Sequence, residues 1–205
     1  GLRELQAVAL NTKGSEQGHV AVETAAALMM AGQPDGELRL TQLATNSDSS
    51  VKAHALRLLD PARPAHLDAL MAAIVVNKGA PEDTAAREVA AERVARFPDS
   101  IALPDVLVGG AKTNVRAEAT AALVQLSASK DRVGTEAAIA LADLGAESMR
   151  PRLLEELKTA SPMRVRAASA LVRLGHAADV RSLLTAPDLD LRDSVACAVL
   201  GTSKT

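Results

Sequence analysis

Five arginines lie close together in the last third of the sequence: Arg150, Arg152, Arg164, Arg166 and Arg173. A guanidinium group binds a carboxylate or a phosphate through two parallel hydrogen bonds. Because Arg166 and Arg173 are seven residues apart, a helix would place them on one face. The cluster therefore predicts a surface for an anionic ligand or partner. The alternative is a structural ladder between neighbouring repeats with a solvated outer face.

The four histidines are spaced too widely in the sequence to indicate a metal site: His19, His54, His66 and His176. None lies three or four residues from another, and a zinc site needs at least three protein ligands. Two of them have a carboxylate at helical spacing, His19 with Glu23 and His176 with Asp179. We therefore predict no metal, and we assign both pairs to surface or capping roles.

Other residue groups that could do chemistry do not match a catalytic pattern. The acidic turn of Asp188, Asp190 and Asp193 has too few oxygen ligands and no glycine turn for calcium, so we expect it to cap a helix. Gly109-Gly110 precedes a lysine, but the phosphate-loop pattern is not met. No Ser-His-Asp spacing can be argued. The sequence predicts no catalytic residue, no cofactor and no enzyme activity.

Composition narrows the possible binding surfaces. The chain has 205 residues, of which 48% are hydrophobic, but it has no Trp, no Tyr and a single Phe. Stacking of nucleic-acid bases and aromatic cages for quaternary ammonium groups therefore have almost no side chains to use. The net charge of −2 gives no global attraction to nucleic acid. A binding surface on this protein should be electrostatic or aliphatic, and the single cysteine excludes an internal disulfide.

A motif at residues 161–175 recurs along the whole chain. It has an apolar residue followed by small or apolar residues four, seven, eight and eleven positions later, which is one face of a helix. Ser161-Pro162 supplies the helix start and Gly175 the stop. Copies of different strength begin at Val20, Val51, Ala86, Val115, Val133, Met163 and Leu189. In the last copy, Cys197 falls on the core face, so we predict it to be buried, with Gly201 as the stop.

A second, shorter, leucine-rich helix type precedes most copies of this motif, for example at residues 38–43, 67–74, 103–107, 153–157 and 180–184. The two types alternate with a period of roughly 30 residues, which is typical of stacked helical hairpins. We therefore predict an all-α protein, a right-handed α-solenoid of stacked antiparallel helix hairpins with about 12–13 helices.

This chain resembles the HEAT-repeat family, in the bacterial form that is similar to the repeats of phycobilin lyases. The resemblance rests on Val115-Arg116 and on Met163-Arg164-Val165-Arg166, each followed by an alanine-rich run, and on the Leu-Gly helix endings. It implies that the first arginine of each copy ties neighbouring repeats together. It also excludes two enzyme types of this fold: the adjacent His-Glu dyads of di-iron hydroxylases and the aromatic site of alkylpurine DNA glycosylases are missing here.

One repeat is irregular. We predict a single solenoid over residues 1–205, a fragment or processed form of a longer chain, beginning with a helix at 2–10. The motif copies at Val115 and Val133 are only 18 residues apart, whereas the next step, to Met163, is 30. Eighteen residues hold one helix and a turn, so the irregular repeat at 128–146 should contain a helix without a hairpin partner, at 132–144.

Three functions agree with these patterns. The first is a non-catalytic protein-protein interaction or scaffold module that binds a protein partner through the solenoid surface. The second is an electrostatic binder of nucleic acid or another polyanion through Arg150, Arg152, Arg164, Arg166 and Arg173. The third is an enzyme-associated repeat of the bilin-lyase type. No apolar run reaches the length of a membrane span. The oligomeric state is left open; the cytoplasm is favoured over export as the location.

Overall fold

The computed structural model describes residues 15–76, 83–103, 106–108 and 111–202, together with Glu4 and Ala7. Most of the helix predicted at residues 2–10 lies outside these residues. The described part is predominantly helical, as the motif predicts, and it divides into two compact units, Gly1–Ala122 and Leu123–Thr205.

The described helices of the first unit are 10 to 16 residues long. In chain order they are α1 (Ser15–Met30), α2 (Pro34–Leu43), α3 (Ser49–Leu58), α4 (Pro64–Val76), α5 (Thr84–Ala95) and α6 (Val115–Ser127), and the unit boundary falls within α6. Helices α1, α3 and α5 pack one against the next, and so do α2 and α4. Helix α2 also packs against α1 and α3, and α4 packs against α5.

The second unit contains α7 (Arg132–Asp143), α8 (Arg150–Lys158), α9 (Arg164–Arg173) and α10 (Leu189–Thr202), with 3₁₀ helices at Glu147–Met149 and Ala177–Thr185. Helix α9 lies at the centre of this unit, because α7, α8, α10 and the second 3₁₀ helix all pack against it. Its core is made of small and aliphatic side chains, including Ala167, Leu171 and Val180, each with no exposed surface.

The motif predicts the buried faces of α6 and α9 correctly. In α9, Met163, Ala167, Ala170 and Leu171 are all buried, and the equivalent residues of α6 are buried as well: Val115, Ala119, Ala122, Leu123 and Leu126. Alanine at these positions lets helix backbones approach each other closely, so that a thin layer of side chains suffices for close packing.

Glycines end three of the helices as the sequence predicts. Gly32, Gly145 and Gly175 have φ angles of 74°, 85° and 89°, a region that favours residues without a Cβ atom. At the end of α9, the N–H of Gly175 donates to the carbonyl of Val172, and the N–H of His176 donates to that of Leu171. This paired arrangement is a Schellman motif, and it satisfies carbonyls that the helix leaves open.

The prediction of a short helix at residues 103–107 is wrong. Strand β1 (Val106–Val108) pairs there with the antiparallel strand β2 (Ala111–Thr113), with Val106 opposite Thr113. Only two residues, Gly109-Gly110, separate the strands in the sequence, and such a pair favours a two-residue hairpin loop. The β-branched residues of β1 also favour a strand over a helix.

The predicted burial of Cys197 is also wrong, because the motif begins two residues later in α10 than the sequence analysis assumed. Cys197 and Leu189 are exposed, whereas Val195 is fully buried. The helix begins at Leu189, as expected, and Asp188 caps it by accepting a hydrogen bond from the N–H of Leu191. Gly201 does not end the helix, which extends to Thr202.

The irregular helix predicted at 132–144 is present as α7. Asp131 caps it by accepting a hydrogen bond from the N–H of Gly134 at 2.8 Å. No described helix lies between the end of α6 and the start of α7, in agreement with the short step between their motif copies. The helix is nonetheless not isolated within its own unit, because α8 and α9 both pack against it.

Candidate binding surface

The five arginines predicted as a binding surface belong to α8 and α9. Arg150 and Arg152 lie in the first turn of α8; Arg164 begins α9, which also contains Arg166 and Arg173. Arg150, Arg166 and Arg173 are between 38% and 48% exposed, so solvent reaches all three. The hydrogen-bond and ion-pair partners of these arginines determine how much of the positive charge is available to a ligand.

Arg150 is bound to a carboxylate of the same unit. Its Nε donates to Asp179 Oδ2 at 2.8 Å, and a terminal nitrogen donates to Oδ1 at 3.1 Å. These charge-assisted bonds from Arg150 hold the pKa of Asp179 below its usual value, and the same bonds raise the pKa of Arg150. Two nitrogens of the Arg150 guanidinium are therefore both occupied by one intramolecular partner, Asp179.

Arg166 and Arg173 both reach from α9 to acidic residues of α7. Arg173 Nε donates to Asp143 Oδ1 at 2.7 Å, and Arg166 lies 3.5 Å from Glu136. The two carboxylates are seven residues apart, as are the two arginines, so the pairs repeat along adjacent helices. Asp143 is only 5% exposed, whereas Glu136 is 15% exposed. The Arg173 pair is therefore the better shielded of the two.

The remaining two arginines differ from each other. Arg152 donates to the hydroxyl of Thr135, a residue of α7 that is almost completely buried, at 3.2 Å. Arg164 has a buried Nε atom that lacks a hydrogen-bond partner within the described part of the chain. Four of the five predicted residues are thus bound inside their own unit, which favours the structural ladder that the sequence analysis offered as an alternative. Arg164 is the exception.

The equivalent of Arg164 in the first unit has a clear structural role. Arg116, at the start of α6, donates to the carbonyls of Phe97, Pro98 and Ile101, which follow α5. Arg93 similarly donates from α5 to the carbonyl of Leu59, at the end of α3, at 2.8 Å. Cationic side chains near the open carbonyls of a helix end are favourable. Arg116 therefore joins α6 to the segment that follows α5, whereas Arg164 Nε has no partner among the described residues.

The structure also shows a polar chain that the sequence analysis did not predict, which we name the α1–α3 polar chain. It consists of Asp48, Ser50, His19, His54 and Glu23. His19 Nδ1 lies 2.8 Å from His54 Nδ1, and His54 Nε2 lies 2.7 Å from Glu23 Oε1. At the other end, Ser50 Oγ lies 3.3 Å from His19 Nε2 and 2.6 Å from Asp48 Oδ1.

The contacts of the two predicted His-carboxylate pairs are different from those expected. Glu23 binds His54 on the neighbouring helix instead of His19 on its own. His176 binds Glu147 at 2.7 Å, because Asp179 is bound by Arg150. The sequence offered one signal for the contact between Glu23 and His54. Both α1 and α3 contain two polar residues four positions apart, His19 with Glu23 and Ser50 with His54. The distance of 35 residues between the histidines concealed that these pairs face each other.

A serine beside two histidines and a carboxylate invites comparison with a hydrolase triad, but Asp48 makes Ser50 a poor nucleophile. The Asp48 carboxylate accepts the Ser50 hydroxyl and also the backbone N–H groups of Ser50 and Val51. A triad serine needs its hydroxyl bonded to a base and nearby N–H groups free for an oxyanion. The Ser50 bond, followed by that from Val51, lowers the pKa of Asp48, as expected of a helix cap.

His66 is the most deeply buried histidine among the described residues, with no exposed surface. Its Nδ1 accepts a hydrogen bond from the N–H of Asp60 at 2.9 Å, so the proton of the neutral ring lies on Nε2. Burial lowers the pKa of His66, and the Glu37 carboxylate, 3.5 Å from Nε2, opposes this effect without outweighing it.

This burial predicts that the protein loses stability on acidification. His66 takes up a proton near pH 6.5 when unfolded but resists it when folded, so the stabilising effect is complete above that pH and decreases below it. Between pH 7.5 and 5.5 we expect the free energy of unfolding to fall, by at most about 1.4 kcal/mol from His66 alone. Urea unfolding of His66→Asn should show a correspondingly smaller pH effect. An unchanged pH effect would contradict the assignment.

The described residues contain no group of three or more His, Cys, Asp or Glu side chains able to hold a metal ion. None of their helices combines the length and the apolar character that crossing a bilayer requires.

Comparison with known proteins adds no relative to this description. No protein-family model matches the sequence, and no curated protein is significantly similar to it.

Proposed function

We propose that this chain is a HEAT-like repeat protein, a right-handed solenoid of stacked antiparallel helix hairpins, and that it acts without catalysis as a protein-interaction module. The observation that supports this most is a periodic set of side-chain contacts. Residues 29 to 31 positions apart bind each other in both units: Glu23–His54, Lys52–Asp83, Glu136–Arg166, Asp143–Arg173, Glu147–His176 and Arg150–Asp179.

Such a period is what stacked repeats produce, because each repeat contacts only its neighbours. The polar contacts hold one repeat against the next and leave the outward residues free for a partner. Several large apolar side chains are exposed, among them Met30 at 80%, Leu38 at 61% and Leu200 at 67%. An aliphatic partner surface agrees with these residues and with the scarcity of aromatic side chains.

The proposal is tested by capture of partners from native extract at low salt and at about 1 M salt, where the Debye length is about 3 Å. A non-catalytic protein module should retain the same protein partner under both conditions. The partner should also be retained by a variant with all five arginines changed to glutamine. Glutamine is preferable to glutamate here, because glutamate would face Glu136, Asp143 and Asp179 and destabilise the fold.

A second candidate, the polyanion binder, is favoured by one observation, the unpartnered Nε of Arg164. The two candidates differ in salt dependence. Five arginines that all contact phosphates would give a slope of log K against log salt of about −4 to −5 with duplex DNA, and Arg164 alone about −1. Fluorescence anisotropy with a DNA duplex measures this slope.

The matched control changes five other basic residues to glutamine, namely Arg57, Arg63, Lys130, Arg181 and Arg192. DNA binding with a steep salt dependence, kept by the control and lost by the variant with the five arginines changed to glutamine, would replace the protein-interaction proposal with the polyanion binder. Shallow or absent DNA binding in all three proteins, together with a salt-resistant protein partner, would support the interaction module.

A further inference from the structure

The protons of the α1–α3 polar chain can be assigned from its contacts. Two oxygens 2.6 Å apart, as in Ser50 and Asp48, need a proton between them, and the hydroxyl supplies it to the carboxylate. Ser50 Oγ then accepts a hydrogen bond from His19 Nε2 across 3.3 Å. His19 therefore carries a proton on Nε2.

The other end of the chain fixes the second ring. His54 Nε2 lies 2.7 Å from a Glu23 carboxylate oxygen and donates its proton to it. The two Nδ1 atoms are 2.8 Å apart, a distance at which one must donate and the other accept. Either ring can be that donor, because each carries a proton on Nε2. Three protons on the two rings then satisfy all contacts, so the pair holds one positive charge.

A second positive charge is incompatible with this geometry. Protonation of both rings at Nδ1 would turn two N–H groups toward each other with no acceptor between them. The two charged rings would also have their centroids only 5.1 Å apart. We propose that the His19–His54 contact is an acid-sensitive joint between α1 and α3, closed while the pair holds one positive charge and opened when both rings are protonated.

The charged groups around the joint do not remove this conflict. The α1–α3 polar chain contains two carboxylates, Glu23 of α1 and Asp48 of the turn before α3. Each lies at an outer end of the polar chain, away from the facing Nδ1 atoms. On α3, Lys52 bonds to Asp83, ahead of α5, at 2.9 Å. On α2, Glu37 bonds to Arg63 and Arg39 bonds to Gln42.

The direction of the effect follows from the number of protons in each state. In an open chain each imidazole binds a proton independently near pH 6.5, whereas the closed contact holds one charge. Below about pH 6.5 the open state therefore binds more protons than the closed one, and further acidification shifts the equilibrium toward the open state. Loosening should be confined to α1 and α3, where the two rings are placed.

Amide hydrogen exchange of the full chain at pH 6.5 and pH 5.0, corrected for intrinsic rates, tests the proposal. The α1 and α3 amides should show an additional loss of protection of about tenfold compared with those of α5, which contains no histidine. The α4 amides report the separate acid effect of His66. In His19→Asn the side-chain oxygen can still accept from His54 but cannot take a proton, so the additional loss should disappear.

His176→Asn is the matched control, since it removes a half-buried histidine bound to a carboxylate in the other unit and should keep the additional loss. His54→Asn is the second test variant in case His19→Asn does not fold. An equal loss of protection in α1, α3 and α5 in the wild type would overturn the proposal. So would an additional loss that persists in the folded Asn variant.

Discussion

Replacement of Gly36 by alanine should destabilise the protein by about 2 kcal/mol. A Cβ atom at this position in α2 would lie 2.3 Å from the backbone nitrogen of Met29 and 2.7 Å from the carbonyl oxygen of Ala25, both in α1. Backbone atoms cannot rotate away as a side chain can, so the two helices must separate. Overpacking of this kind costs about 1–3 kcal/mol, and the gain in helix propensity returns at most about 1 kcal/mol.

The measurement is urea unfolding at pH 7.5, with Gly201→Ala as the control. Gly201 is also helical, but a Cβ atom there would meet nothing within 4 Å. That change should therefore leave the free energy of unfolding within about 1 kcal/mol of the wild type, or slightly raise it. Equal effects of the two substitutions would show that the close contact between α1 and α2 is not what limits position 36.

The second large effect is expected at Arg173. Changing it to alanine removes the bond between Arg173 and Asp143, whose side chain is only 5% exposed. A buried charge that loses such a partner costs more than the pair itself contributes. We expect a loss of about 2 kcal/mol, reduced from the fully buried case because Arg173 itself is 38% exposed.

A double-mutant cycle with Asp143→Ala separates the pair from the other contacts of each residue. The coupling between Arg173 and Asp143 should be about 1–2 kcal/mol. The control cycle on the same two helices uses Arg166 and Glu136, which are 3.5 Å apart and nearer to solvent, and its coupling should stay below about 0.5 kcal/mol. Coupling energies near zero in both cycles would mean that Arg166 and Arg173 of α9 are solvated. The two arginines would then again be candidates for a ligand-binding surface.

These stability effects bear on the function of the arginines. Substitutions that weaken the contact between α7 and α9 also change any surface built on those helices. A loss of binding in the five-residue variant therefore counts only if the variant unfolds at the same urea concentration as the wild type. Arg164→Gln offers the cleanest single test, because no described residue accepts a hydrogen bond from its Nε.

The helical motif and its stop signals follow from the sequence alone. The buried faces of α6 and α9 and the glycine ends at Gly145 and Gly175 were all predictable. Both depend on local physics: the period of a helix sets which residues share a face, and a left-handed backbone at a helix end favours glycine. The short step between Val115 and Val133 likewise located α7 within one residue of its observed end.

Two errors arose where local signals competed. Residues 103–107 have the leucine and valine content of the short helices, yet Val106 begins a strand, because β-branched residues beside Gly109-Gly110 favour a hairpin. In α10 the spacing from Leu189 fitted the motif except at Asp193, and the buried residue is Val195, two positions later. That shift exposes Cys197, and the failed fit at Asp193 was its only trace in the sequence.

The partners of the polar residues were decided by tertiary structure. Spacing within a helix suggested His19 with Glu23, but the stacking of α1 on α3 brings His54, 35 residues away, between them. In the same way, the sequence located the arginine cluster, whereas the packing of α9 on α7 determined that Arg173 is bound to Asp143 while Arg164 is left unbound at Nε. Helical periodicity fixes which side chains share a face. Only the packing of one helix on another fixes which charges meet, because that depends on the orientation of backbones distant in sequence.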